Sequence, residues 1–210
     1  MLAITAFLAG TVDAIAGGGG LITLPALLSA GLPPHLAYGT NKGQSVWGSG
    51  SALVAFWRGG RIDRRQAAIA FPLGLVGAAL GARLVLRIDN ETLRPIAIAM
   101  LIGAAALLLV RRPAREEDAA ARRRHLALAA ALALVLGVYD GFFGPGTGTF
   151  LIVGFVALCG KSYTSATADA KVVNFGSNLA AVTAFAIAGR HCSRSRSGAR
   201  ERCSARGSCS

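Results

Sequence analysis

Asp13-Ala-Ile-Ala-Gly17-Gly18-Gly19-Gly20-Leu-Ile-Thr23-Leu-Pro25 decides how the chain is read, together with its counterpart Asp140-Gly-Phe-Phe-Gly144-Pro145-Gly146-Thr147-Gly148-Thr149. In each, an apolar helix carries one carboxylate and then meets a run of glycines. Glycine costs about 1 kcal/mol relative to alanine inside a helix, so four in a row break it and free backbone N–H and C=O groups. Within a bilayer such groups are tolerated only where protein or a wet cavity satisfies them. The half-helix that restarts near Leu21 or Thr149 then points an N-terminus, with partial positive charge and open N–H donors, into the interior. Two such breaks are expected to face each other across a central site. Close helix packing through small residues is the alternative use of these glycines.

Working outward, ionisable residues are absent from Gly43–Trp57, Gln66–Ala82, Pro95–Val110, Leu126–Tyr139, Phe142–Gly160 and Val172–Gly189, and Asp13 alone interrupts Met1–Ser29. With flanking residues, several of these runs reach the roughly 17–25 residues of a membrane-spanning helix. A chain of 210 residues, 53% apolar and 15% charged, has too little polar sequence to cover so many all-round apolar helices in water. The net charge of +12 would suit a nucleic-acid binder, but the mean hydropathy of +0.53 leaves no solvated basic face to serve one. The expected fold is an all-α integral membrane protein. Met1–Ala16 lacks a basic leader and a cleavage site, and is read as part of the structure. Arg58, Arg61, Arg64 and Arg65 cluster between two apolar runs, and Arg111, Arg112, Arg115 and Arg122–Arg124 between two others. The positive-inside rule places both loops in the cytoplasm, with Leu32–Thr40 and Arg87–Glu91 on the far side.

The two motifs belong to a longer internal match. An offset of 127 pairs Asp13 with Asp140, Gly17 with Gly144 and Gly19 with Gly146; an offset of 129 pairs Lys42 with Lys171 and Gly60-Arg61 with Gly189-Arg190. Repeats of this kind are typical of secondary transporters. If each broken segment counts as one crossing, both copies start near the cytoplasm and the repeat is parallel. The expected organisation is a first transmembrane repeat over 1–110, a charged loop over 111–124, a partial second repeat over 125–190 and a disordered basic tail over 191–210. The tail has no Leu, Ile, Val, Phe or Met, and holds three of the four cysteines. It stands where the repeat predicts two further apolar helices, so a shifted reading frame or a truncated gene is expected, with a lipid-binding basic tail as the alternative. Sequencing of the locus separates them.

Asp13 and Asp140 are intramembrane carboxylates and so candidates to couple a proton, bind a cation or cap the broken backbone. The second motif, Gly39-Thr40-Asn41-Lys42-Gly43-Gln44-Ser45, has the partner Ala168-Asp169-Ala170-Lys171, followed by Asn174, with Ser177 and Asn178 beyond. Both lysines are read as lying at helix starts, where the macrodipole disfavours a cation, so an anionic ligand or a neighbouring carboxylate is implied. Snorkelling lysines and interhelical hydrogen bonds are the alternative. The candidate substrate site is Gly17, Gly18, Gly19, Gly20, Asn41, Lys42, Gln44, Ser45, Gly144, Pro145, Gly146, Thr147, Gly148, Lys171, Asn174 and Asn178, with Asp13 and Asp140 coupling or capping. Neither glycine run has the Lys of a P-loop, and His35 and His125 lack partners at metal-ligand spacing. No cofactor and no metal is expected, and no nucleic-acid partner. Cys159 reads as a small apolar residue.

Val12–Pro25, Gly39–Lys42 and Tyr139–Gly148 resemble the sulfite exporter TauE/SafE family of membrane permeases over about Leu8–Arg190. The resemblance implies a multi-pass plasma-membrane permease of two related halves that moves sulfur-containing anions such as sulfite or organosulfonates. The expected partners are therefore a small anion and membrane lipid. A membrane assembly factor or an inactive truncated product is the rival function. A lipid-modifying enzyme is a weaker one, for want of a nucleophile–base pair.

Overall fold

In the computed structural model, which describes residues 2–110 and 122–205, all regular structure is helical. The elements are α1 (Leu2–Ala16), α2 (Gly20–Ser29), α3 (Pro34–Arg58), α4 (Arg64–Val85), α5 (Asn90–Val110), α6 (Arg122–Phe142), α7 (Thr147–Cys159) and α8 (Tyr163–Ala205). Among the described residues, α4 and Tyr163–Ala188 of α8 are by length and composition apolar enough to cross a membrane outright, and Thr5–Ile15, Gly20–Ser29, Leu126–Phe142 and Thr147–Cys159 are shorter apolar helices. The polarity is inside out. Phe7, Ile15, Trp47, Ile102 and Val135 are exposed, Trp47 at 81%, while Asp13, Asn41, Lys42, Asp140, Lys171 and Asn178 are buried. An apolar exterior around a polar interior suits lipid as the surrounding solvent.

Local chemistry sets the helix ends. Pro34 opens α3 from the first turn, where its missing N–H costs nothing. Asp63 caps α4 by accepting from the amides of Arg65 and Gln66. Asp89 does the same for α5, taking the Thr92 amide at 2.7 Å and the Thr92 hydroxyl at 2.9 Å. Those two bonds hold its carboxyl below the usual carboxylate range. The glycine runs do break their helices: Gly17 and Gly144 both take positive φ, at 73° and 93°.

The broken segments are not single crossings. A helix of 10 residues is about 15 Å long, half the hydrocarbon thickness. Rather than stacking end to end with α1, α2 doubles back along it. Gly19 lies against the Ala9 carbonyl and the Asp13 Cβ, and Gln44 bridges Thr23 of α2 and Ala6 of α1. α7 likewise returns along α6, with Gly154 against Leu132. Each pair is a re-entrant hairpin, which corrects the crossing count expected from sequence. The expected parallel orientation falls with it. α3 runs with α1, placing Gln44 beside Ala6 and Gly48 beside Asp13. α8 runs against α3, placing Phe185 at Gly39 and Phe175 at Gly50. α8, α4 and α6 share one sense: Gly74 meets Gly137, and Ala78 meets Gly141, along the α4–α6 seam. The first hairpin therefore enters from one end of the bundle and the second from the other. Apolar periodicity does not distinguish a helix that continues past a break from one that reverses.

These contacts put the two sets of loops that the arginine pattern separates at opposite ends of the bundle. The α3 start and the α4–α5 turn lie together, with the His35 ring 2.8 Å from the Ile88 carbonyl and its amide donating to Asn90 Oδ1. The α3–α4 loop lies at the opposite end with the starts of α4, α6 and α8. Most of the second arginine loop falls outside the described residues. The α8 backbone continues as helix through Ala205, over most of the segment expected to be a disordered tail; residues 206–210 fall outside.

Candidate functional site

The two hairpin tips meet inside the bundle. Gly17 packs backbone to backbone on Gly148, so closely that neither position has room for a Cβ. A Cβ on Gly20 would stand 3.2 Å from the Pro145 Cα and 3.3 Å from the Asn41 amide nitrogen. The half-helices restart at Gly20 and Thr147, slightly earlier than Leu21 and Thr149, and their N-termini converge here from opposite ends. The tips touch where the sequence led one to expect them to face each other across a gap. The second tip is sheathed by aromatic rings: Tyr139 makes edge contacts with Phe143 and Phe150, and its hydroxyl donates to the Pro145 carbonyl at 3.0 Å.

Around the tips lies a buried polar layer drawn from α1, α3, α6 and α8. Lys42 Nζ is 2.8 Å from Asp140 Oδ1 and donates to Asn178 Oδ1 at 3.2 Å. Ser177 donates to the other Asp140 oxygen, and the Asn178 amide donates to Asn174 Oδ1 at 3.1 Å. Lys171 donates to the main-chain carbonyl of Asp13. The Asp13 carboxylate accepts from the Gly19 amide.

Neither lysine sits at a helix start. Lys42 comes eight residues after Pro34, and Lys171 eight after Tyr163. The diproline at 33–34 begins α3 well before Gly39, so the dipole argument that pointed to an anion does not apply at those positions. The ammonium groups lie instead at the C-terminal ends of α6 and α1, where a helix favours a cation. Each lysine crosses from one sequence motif to the helix end of the other.

Of the residues singled out from sequence, Asp13, Gly17, Gly19, Gly20, Asn41, Lys42, Asp140, Gly144, Pro145, Gly148, Lys171, Asn174 and Asn178 are gathered by these contacts, with Gly18 facing Thr149, Thr147 donating to the Gly144 carbonyl, and Gly146 preceding the α7 start. Ser45 is buried on α3, its carbonyl accepting from the Ser49 hydroxyl. Gln44 stands apart, towards the far end, where with Thr23, Thr40 and Thr5 it lines a cavity of about 340 Å³. A second cavity of about 670 Å³ shares Thr40 and reaches His35, Asn90 and Phe185. Ser177, noted beside Asn178 in the second motif but not placed in the candidate site, joins the layer through Asp140. A further group was also missed: Asp169, 1% exposed, pairs with Lys161 and takes the Asp63 amide, tying α8 to the α3–α4 loop. A lone aspartate in an apolar helix was its signal. Among the described residues no cluster of His, Cys, Asp and Glu could hold a metal ion.

Apolar helices around a buried charged layer, broken by two hairpins, define a polytopic membrane protein. Comparison with known proteins names the class. The family model for the sulfite exporter TauE/SafE matches residues 2–192, and the chain belongs to that family. It is 40% identical over 188 residues to a probable membrane transporter protein, ORF9, of Sinorhizobium sp, covering 90% of this chain and 72% of that one. It is 38% identical over 184 residues to a probable membrane transporter protein of Haemophilus influenzae, covering 88% and 72%. It is also 38% identical over 190 residues to the probable membrane transporter protein YfcA of Escherichia coli K12, covering 90% and 71%. No solved structure matches. The protein is a membrane transporter by family.

Proposed function

We propose that the chain is a plasma-membrane permease for a small anion, with sulfite or an organosulfonate as the substrate class. The observation that carries this is the convergence of the α2 and α7 N-termini on a layer holding two buried ammonium groups, Lys42 and Lys171. Helix N-termini and cations together favour an anion. The family's name points to the same chemistry. The cavities lined by Gln44, Thr40 and Asn90 lie towards the end opposite the α3–α4 loop, on the side from which an anion would enter under this reading. Passage then requires the Gly17–Gly148 contact to part. Lys42 is bound to Asp140, whereas Lys171 donates to a carbonyl, so Lys171 is the cation freer to turn to a ligand. In proteoliposomes, Lys171→Gln is expected to lower radiolabelled sulfite flux at least about tenfold, the loss of about 1.4 kcal/mol of binding. Flux equal to that of the unmodified chain refutes the site.

A further inference from the structure

Asp13 and Asp140 hold matching places in the two motifs, yet the fold treats them differently. Asp140 is fully engaged: Lys42 on one oxygen, Ser177 on the other. Asp13 is 5% exposed, and its Oδ2 has no hydrogen-bond partner. The lysine that mirrors Lys42 reaches past this carboxylate to the Asp13 main-chain carbonyl. The free oxygen faces α3 where Gly48 leaves space, since a Cβ there would stand 3.2 Å from it.

We propose that Asp13 carries the proton coupled to anion passage, while Asp140 stays a fixed counter-ion to Lys42; this rests on the permease reading above. The groups facing Asp13 are Lys171 from α8, Lys42 from α3, Asp140 from α6 and the Gly19 amide at the α2 start. α7, which meets the end of α1 through Gly148, has no charged residue. The four ionised side chains, Asp13, Asp140, Lys42 and Lys171, sum to zero. A monoanion entering this layer leaves one negative charge uncompensated in a medium where that is costly. A proton from the aqueous side binding Oδ2 turns Asp13 into a neutral acid and restores balance, and frees Lys171 electrostatically to face the anion. The stoichiometry is one proton per monoanion, moving in the same direction. Asp140 cannot take this part without abandoning both Lys42 and Ser177.

The test uses the full chain in proteoliposomes with the membrane potential clamped. With both compartments on the acidic side of the second ionisation, so that sulfite is the monoanion, an inward proton gradient is expected to drive the radiolabel uphill by about tenfold per pH unit, the equilibrium ratio for one-to-one coupling. Asp13→Asn is expected to abolish accumulation while downhill exchange persists. Accumulation by Asp13→Asn, or drive by a sodium gradient in place of the proton gradient, overturns the proposal. A substrate-free measurement stands beside it: infrared titration of the membrane-embedded protein, in which the protonated-carboxyl C=O band, to which Asp169 and the other acids also contribute, should lose a component in Asp13→Asn that Asp140→Asn retains. A band in Asp13→Asn that superimposes on that of the unmodified chain overturns the proposal. No sulfite flux with the band still assigned to Asp13 overturns the sulfite reading and supports the proton assignment.

Discussion

Replacing Lys42 by methionine should unfold the protein far more readily than its conservative volume suggests. The ammonium and the Asp140 carboxylate are 2.8 Å apart with side chains 1% and 2% exposed. At an effective dielectric constant of about 20, two unit charges at that separation attract by about 6 kcal/mol. Desolvation of both ions offsets much of this, so the intact pair contributes little net stability. Removing one partner, however, strands a buried carboxylate, at a cost of about 3–5 kcal/mol. Lys42→Met should therefore lose that amount, and Asp140→Leu a similar amount. The double variant should recover about 2–3 kcal/mol relative to the sum of the two. Recovery is incomplete because Ser177 and Asn178 then lose their partners. Denaturant unfolding in detergent micelles measures it, read by tryptophan fluorescence, since Trp47 and Trp57 both lie on the helix that carries Lys42. If the two single losses add within about 0.5 kcal/mol, the pair is not coupled and the reasoning fails.

Further expectations concern packing, sidedness and pH. Gly141→Ala should destabilise by about 1–3 kcal/mol, because its Cβ would meet the Ala78 carbonyl and stand 2.6 Å from the Ala78 Cα, backbone that has nowhere to go. Gly103→Ala, with open space around it, should gain up to about 1 kcal/mol from helix propensity; equal effects in a thermal-unfolding assay would contradict the packing described for the α4–α6 seam. In a cysteine-free background, single cysteines at positions 36 and 88 should label from outside intact cells, and one at 61 only after permeabilisation; the reverse pattern inverts the topology. Asp89 holds a lowered folded-state pKa through the Thr92 amide and hydroxyl. Its contribution is therefore present above the unfolded value of about 3.9 and disappears as pH falls through the folded value. The gap in thermal midpoint between the unmodified chain and Asp89→Ala should be wide at neutral pH and close below about pH 4. A gap that stays constant would remove the Asp89 cap from the account.

Charge spacing carried much of the architecture. The uncharged runs marked the helices and the carboxylate–glycine pattern located both breaks, because each reflects a local cost that no tertiary contact can hide. Chain reversal after Gly17 and Gly144 was not legible, since a glycine run permits either continuation or return and only the packing of Gly19 on Ala9 and of Gly154 on Leu132 selects the return. The lysines were found as residues but misplaced by a turn or two: Pro34 starts α3 earlier than the glycine at 39 suggested. Their partners were beyond reach of sequence spacing. Lys42 and Asn178 are 136 positions apart, Lys171 and Asp13 158, and nothing local chose which lysine meets which aspartate. Lys161 and Asp169 form a pair across the α7–α8 loop that neither helical nor strand periodicity describes.

The crossed lysines have a consequence for how the protein is made. Lys42 leaves the ribosome long before Asn178 exists; at about 5–20 residues per second, 136 residues take roughly 7–27 s. Its ion-pair partner Asp140 is made 98 residues after Lys42, and until then the nascent first half holds an ammonium group in the bilayer without either partner, at an insertion cost of about 2.5–3.5 kcal/mol. The early helices are thus metastable during synthesis, and α6 and α8 complete a charge network begun many seconds before.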